Sequence, residues 1–500
     1  MEDLKKLVRI IVHRKQRQYP LLDLKGDNAS KENVFFRYIR SGEADSDDDA
    51  AKLLYNTSGD DDRYRMLKSR LKQKLLNHLF FLDFSNKNKS TAEQMELECI
   101  QFLHQARILQ FAGEIKVARS LLQKALTIAD RCEYTNHRIT GLEALVAILS
   151  NNHQPHLFEN TTAELTENRK IFIMEEAVRH EFLLMEMMIV KSVNSRRKNL
   201  ERVEETLSKF HREWEKSKSY NVFSYYLKLK ILFHRLTGEY EKLLPFLNEI
   251  EKGNYNGVKL NPYRINTNNI ILEKAHIYYK LKKVQEGKEY MGRNAYFFDQ
   301  KRIEWFWFME IYFLMTLQSG DHQLASTLRE DVFGSKLFES NDPELIDRWR
   351  IYSAYFHYAN SSNFYLAKVE YGDLLEDMPV YDKEREPEQV AILILQILYY
   401  IELKDVEAVK ARRNAMKKYI SNHFKENFSY RTRTFYKLLN IVAENDLDLK
   451  AIQVKTRYLL KKLPEVQVVS DVYTEIEVIP YEHLWDMISA TLQNSNHRQN

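Results

Sequence analysis

The sequence predicts an all-α protein, an array of helical hairpins preceded by a small helical module. Glycine occurs 13 times and proline 9 times in 500 residues, where typical usage would give about 35 and about 25. Tight turns between strands need glycine at positive φ, and phosphate-cradling loops need it to bring backbone close to the anion. Such scarcity excludes β-sandwiches, Rossmann domains and TIM barrels as expected folds. The chain is 44% hydrophobic and 12% aromatic, enough for a large core and too much for global disorder. From about residue 93 a helix–turn–helix pattern also recurs at a near-constant spacing.

Residues 1–90 read as a separate module. Leu4, Leu7, Ile10 and Ile11 space as one face of a first helix, and 33–39 suits a second. Ser46 followed by Asp47, Asp48 and Asp49 has the form of an N-cap with acids in the first turn, which satisfy exposed N–H groups and complement the helix dipole. Ser58 to Asp62 repeats that form ahead of a longer helix with an apolar stripe of Tyr64, Leu67, Leu71, Leu75 and Leu79. Residues 43–62 carry eight acids and one lysine, directly before the basic stretch 63–74, so pairing between the two is expected. The polar segment 84–91 reads as a linker.

Residues 105–129, QARILQFAGEIKVARSLLQKALTIA, form a helix, a turn at Gly113 and a second amphipathic helix. Ala106, Ala118 and Ala125 are small residues where two helices must approach closely, and glycine permits the tight turn. This stretch resembles the tetratricopeptide repeat. The same register fits Gly320 with Ala325, Gly238 with Leu243, and Lys282 with Gly287; Ser362 with Ala367 and Leu403 with Ala408 keep only the close-packing alanine. Close-packing positions then fall at 118, 243, 287, 325, 367 and 408, with gaps after 243 of 44, 38, 42 and 41. One further step reaches Leu449. The gap before 243 is filled by hairpins turning near 155–160 and 195–200. A period near 41 is longer than the tetratricopeptide's ~34. The resemblance implies a right-handed superhelical α-solenoid of about nine hairpins over 93–463. Residues 464–480 are β-branched and partly alternating, hence extended. Residues 481–492 suit a capping helix before a polar tail, so that 464–500 forms the C-terminal segment.

Recognisable reaction chemistry is absent from the sequence. It contains no GxxxxGK[ST], GxGxxG, HExxH or EF-hand loop. Glu273 and His276 make one ExxH, whereas a di-metal bundle needs two and further glutamates. His153 and His156 lack companions, and the acid clusters 47–49 and 60–62 are explained by helix starts. Cys99 and Cys132 lack metal-ligand or CxxC spacing and read as buried structural thiols. No metal, no cofactor and no enzymatic activity are expected. The apolar windows 305–317 and 391–401 fall short of the ~20 residues that span a bilayer. With no leader-like N-terminus, the expected location is cytoplasmic, without a membrane partner.

In tetratricopeptide proteins the first helix of each repeat lines a concave groove. Carried onto this chain, the resemblance implies a protein- or peptide-binding groove of Arg107, Gln110, Lys228, Arg235, His276, Tyr279, Trp307, Glu310, Trp349, Tyr352 and Tyr400. The leading expectation is therefore a non-enzymatic scaffold or adaptor. A regulator is the alternative, with a nucleic-acid-contacting N-terminal module or basic C-terminal face and the solenoid as sensor. Residues 404–462 hold fifteen Lys/Arg against six Asp/Glu, interleaved with aromatics. Lys410, Arg412, Arg413, Lys417, Lys418, Arg431 and Arg433 are the phosphate-contacting candidates there. The net charge of +4 does not itself demand a polyanionic partner, and open solenoid ends also permit a homodimer.

Overall fold

A computed structural model describes residues 6, 22, 30–79, 92–190, 193–336, 338, 343–360, 371–377, 386–423, 430–464 and 477–496. These residues are overwhelmingly α-helical, and among them no helix is long and apolar enough to cross a membrane. The chain divides into two compact units, Met1–Phe172 and Ile173–Asn500.

The first unit begins with a three-helix module, α1 (Lys31–Ser41), α2 (Asp47–Tyr55) and α3 (Asp62–His78). Ser46 caps α2 in a full capping box with Asp49, as its spacing requires. The cap of α3 is Asp61, three residues beyond the expected Ser58: its carboxylate accepts the Arg63 N–H at 2.8 Å, while Gly59 N–H donates to Asp48 Oδ1 at 2.7 Å. Tyr64, Leu67 and Leu71 pack on Phe35, Ala50 and Ala51. The apolar stripe ends there: Leu75 is half-buried and Leu79 is 55% exposed. The expected charge pairing is present, with Arg63 on Asp61, Arg65 on Asp60 and Lys68 on Asp47 at 2.8, 2.9 and 2.6 Å. The expected first helix (4–11, except Lys6) and the linker at 84–91 lie outside the described residues.

Next come α4 (Ala92–Phe111), α5 (Ile115–Cys132), α6 (Thr135–Asn151) and the start of α7 (Pro155–Val190). Gly113 has φ +80° between α4 and α5, and Ala106, Ala118 and Ala125 are buried to within 1%. α4 packs on both α5 and α6. Cys99 and Cys132 are free and buried, and burial pushes the Cys99 thiol up to about 11. The turn before α7 falls at 152–154, slightly ahead of the expected 155–160.

The second unit continues α7 and adds α8 (Val193–Ser217), α9 (Tyr220–Thr237), α10 (Tyr240–Glu251), α11 (Thr267–Lys280) and α12 (Val284–Asn294). It goes on through α13 (Ile303–Gln318), α14 (His322–Phe333), α15 (Pro343–Ala359), α16 (Glu386–Glu402) and α17 (Val406–His423). It ends with α18 (Tyr430–Glu444), α19 (Leu449–Lys462) and α20 (Tyr481–Asn496). The hairpin turn expected at 195–200 lies inside α8. A two-residue β-hairpin, Asn254–Tyr255 with Val258–Lys259, was not foreseen. Asn256 and Gly257 both take positive φ, the turn that suits such a connection, and Tyr255 enters an aromatic cluster with Trp214, Phe223 and Phe246.

One device recurs in this unit. A residue at positive φ ends the turn, and five residues later the second helix carries a buried position. Gly238 is followed by Leu243, Lys282 by Gly287, Gly320 by Ala325, Lys404 by Val409, and Leu447 by Ile452. The first three pairs match the sequence register. In the last two the residue five beyond the turn is Val409 or Ile452: Ala408, expected there, is only half-buried because the turn takes an extra residue, whereas Leu449 is buried as expected, with Ile452 buried beyond it. Ala367 lies outside the described residues. Gly287 is small for a reason, since a Cβ there would stand 2.7 Å from Met315 Sδ and 3.0 Å from Tyr278 Cβ. Through such contacts α11 packs on α12 and α13, and α13 on α14 and α15. Helices this short are marginal alone and are held by packing.

Left-handed backbone costs a side-chain-bearing residue about 1 kcal/mol. Lys404→Gly is therefore expected to stabilise the chain by about 1 kcal/mol, and Gly113→Ala to destabilise it by at least as much. Denaturant unfolding of both variants reads this directly; equal midpoints would contradict the assignment of strain to these turns.

Candidate functional site

An open cleft of about 520 Å³ lies between α7, α9 and α11. Residues 225, 228, 232 and 235 share one face of α9, because helical periodicity brings i, i+3, i+7 and i+10 into line. Residues 179, 182, 183 and 186 do the same on α7. Phe182, Leu183, Tyr225, Ile231 and Leu232 supply apolar lining, and Arg179, Glu186, Lys228, Arg235 and Glu273 the polar groups. Phe182 and Tyr225 meet at 5.3 Å between ring centroids. The Lys228 ammonium stands over both, 5.3 Å from Tyr225 and 6.0 Å from Phe182. Arg235 is held by Glu273 at 2.6 Å, and Arg179 by Glu176 at 3.2 Å. Two of the expected groove residues, Lys228 and Arg235, thus meet in one site. Leu183 and Met187 on α7 are 44% and 64% exposed, so apolar surface continues beyond the cleft.

The neighbouring groove candidates do not form one continuous wall. His276 sits beyond Glu273 on α11, half-buried, with its ring 6.5 Å from Tyr240. Burial, reinforced by Lys280 and Arg235, holds it well below the usual histidine range, hence neutral. Trp307 is exposed. Trp349 and Tyr352 are core residues, at 0% and 1% exposure, which corrects their expected place on the groove surface. Trp349 packs 5.3 Å from Phe313. The Tyr352 hydroxyl donates to Glu310 Oε1 at 2.7 Å, and Arg348 reaches Glu310 at 3.3 Å. Burial raises the Glu310 carboxyl, and Arg348 and Tyr352 oppose the rise. Tyr400 carries Arg412 over its ring at 5.8 Å. In the first unit, Arg107 covers Phe111 at 4.8 Å, and Gln110 donates to the Ala144 carbonyl at 3.3 Å.

Tyr279 is already engaged by the chain itself. Its hydroxyl donates to the Glu477 carbonyl at 2.6 Å, across 198 positions of sequence. The C-terminal segment from Glu477 through α20 packs on α16 and α19 and bonds to α11 and α18. Val478, Ile479, Leu484, Ile488 and Leu492 are buried in the same core as α11, α16 and α18. Tyr481 stacks on Phe435 at 4.5 Å, and Thr491 donates to Glu402 at 2.6 Å. Arg431 fixes the entry of this segment. Its guanidinium bonds Glu477 at 2.7 Å, Glu482 at 2.8 Å and the Leu463 carbonyl at 2.6 Å.

Arg431 is consequently no free phosphate contact, and three other cations of the expected basic face are also engaged. Lys410 meets Asp446 at 2.6 Å, Arg413 meets Glu444 at 3.7 Å, and Arg412 donates to the Glu376 carbonyl. Lys417, Lys418 and Arg433 are exposed. On α3, Arg63, Arg65 and Lys68 are paired as described above, and Arg70 meets Glu32 at 3.0 Å. Among the described residues no group of three His, Cys, Asp or Glu could hold a metal ion; His153 and His156 are exposed near the α6–α7 turn. The expected extended segment at 465–476 and the tail at 497–500 lie outside the described residues, and α20 runs four residues past its expected end.

The α7 contribution escaped the sequence reading because the tetratricopeptide register was not assigned there. The segment 179–187 shows mixed Arg, Phe, Leu, Glu and Met, and only pairing with α9 turns it into a wall. No family model matches this chain, and neither does any curated protein or solved structure compared with it.

Burial alone would raise the Glu482 carboxyl, but the Arg431 hydrogen bond and charge outweigh it and hold it below the usual range. A depressed carboxyl contributes stability above its unfolded pKa, near 4.5, and loses it as pH falls through the folded value. Arg431→Met should destabilise the fold by about 3 kcal/mol at pH 7, since two buried-facing carboxylates lose their cation. The deficit should shrink below pH 4. Urea unfolding of wild type and variant at both pH values checks this, and a pH-independent deficit would contradict it.

Proposed function

We propose that the hairpins are divergent tetratricopeptide-like repeats and that the protein is a non-enzymatic scaffold or adaptor whose docking site is the α7–α9–α11 cleft. The carrying observation is the cleft itself, with an apolar floor, exposed Leu183, and an ammonium, Lys228, poised over two aromatic rings. Interfaces draw affinity from such desolvated apolar and aromatic centres and specificity from a few charges beside them. The cleft lies on α9 and α11, the first helices of their hairpins, where the family resemblance puts ligand contacts. Farther along, the C-terminal segment occupies part of α11, α16 and α18 through Tyr279, Glu402 and Arg431, which favours this cleft as the seat for a partner. The ion pairs that hold Arg63, Arg65, Lys68, Lys410 and Arg431 weigh against the nucleic-acid regulator, because each phosphate contact would first have to break one.

Leu183→Asp and Lys228→Glu change exposed side chains, so both variants should unfold within about 0.5 kcal/mol of wild type. Affinity capture from the source cells, quantified against wild type, should lose the same set of proteins with either variant. An unchanged partner set, with both variants folded, would sink the proposal.

A further inference from the structure

We infer that the occupant of the α7–α9 cleft is an amphipathic helix of a partner protein, one that presents a carboxylate to Lys228; the inference rests on the docking reading just given. Three observations carry it. The first is the backbone chemistry of the walls. α7, α9 and α11 spend their peptide groups on their own helical bonds, so the cleft offers side chains and no strand edge. An extended peptide pressed onto Phe182, Leu183 and Leu232 would bury its own N–H and C=O groups without partners. A helix arrives with those groups satisfied, and its side-chain ridges fit the trough between two helical rows.

The second observation is charge. Arg179 and Arg235, toward either end of the site, are each balanced, by Glu176 and Glu273. Lys228 between them is exposed and meets aromatic faces, with no carboxylate within ion-pair distance among the described residues. Docking an apolar helix surface would strip water from that ammonium, and a carboxylate on the incoming helix is the group that offsets the loss.

Thirdly, the molecule already binds one helix in this way. α20, which packs on α16 and α19, buries Leu484, Ile488 and Leu492, spaced i, i+4 and i+8, while Glu482 meets Arg431 at 2.8 Å. An apolar stripe with a carboxylate set on a basic residue is the chemistry these helix faces are built to hold. The partner helix follows the same pattern, with leucine- or isoleucine-like residues at i, i+3 or i+4, and i+7, and an acid beside the stripe.

The test is selection from a displayed library of helical peptides of 16 residues, the length of α20, against the full-length protein. Selected peptides are then measured by fluorescence anisotropy and circular dichroism. The expected binders gain helicity on binding, carry the apolar stripe with an acid, and weaken about tenfold or more on both Leu183→Asp and Lys228→Glu. Replacing the peptide's acid by lysine should restore binding to Lys228→Glu. Binders that lose affinity with Leu183→Asp yet stay non-helical, or ignore Lys228→Glu, overturn this inference and leave the docking site standing. Binders indifferent to both substitutions, or no binders at all, overturn the docking site as well.

Discussion

The array rests on one backbone constraint, a single left-handed residue between two helices with a buried position five residues further on. The turn fixes where the second helix starts, and the buried position fixes which of its faces meets the first. With Ala118 or Ala325 at that position the helices approach closely; with Leu243, Val409 or Ile452 a larger side chain fills the same place. Because each hairpin has apolar surface left over, it is stable only against the next, and a helix displaced at one turn exposes apolar area on both neighbours. Burying one large apolar side chain is worth about 1.5–3 kcal/mol, so a fully enclosed Trp349 or Phe313 outweighs the strain of a lysine held at positive φ.

The same economy explains the C-terminal segment. A stack of hairpins ends on an open apolar face, and α20 covers it with Leu484, Ile488 and Leu492. The segment before it reaches back to Tyr279 on α11, so the cover extends beyond α16 and α19. Arg431 answers the cost of bringing Glu477 and Glu482 into that interface. Seating this many apolar residues commits the segment to the fold, and a partner meets the surface that remains, on α7, α9 and α11. Function on this account follows from which part of a repeated face the chain leaves uncovered.

Much of the helical architecture was legible because its signals are local. Ser46 with Asp49, and Gly113 with Ala118, are short patterns whose geometry depends on few neighbours. The register slipped where a turn gained a residue, as at Lys404, because non-glycine residues at positive φ leave no clear compositional mark. Lys228 and Arg235 were implied by the tetratricopeptide resemblance, and both line the cleft. Trp349 and Tyr352 were implied in the same way but are enclosed by α13 and its neighbours, a tertiary fact that periodicity does not carry. The pairing of Tyr279 with Glu477 was beyond reach for the same reason, and so was the pairing of Lys410, Arg413 and Arg431, whose acids Asp446, Glu444 and Glu477 lie on other elements. The α3 pairing was legible since its acids and bases adjoin in sequence.

Hydrogen–deuterium exchange of the full-length protein tests most directly whether α20 covers the face of α16 and leaves the α7–α9 cleft open to a partner. The amides of 481–493 are expected to exchange as slowly as those of α16 and α18, and to open together with them as denaturant is added. Exchange of α20 at rates close to those of an unfolded peptide, while α16 and α18 stay protected, would show that face uncovered and contradict the account.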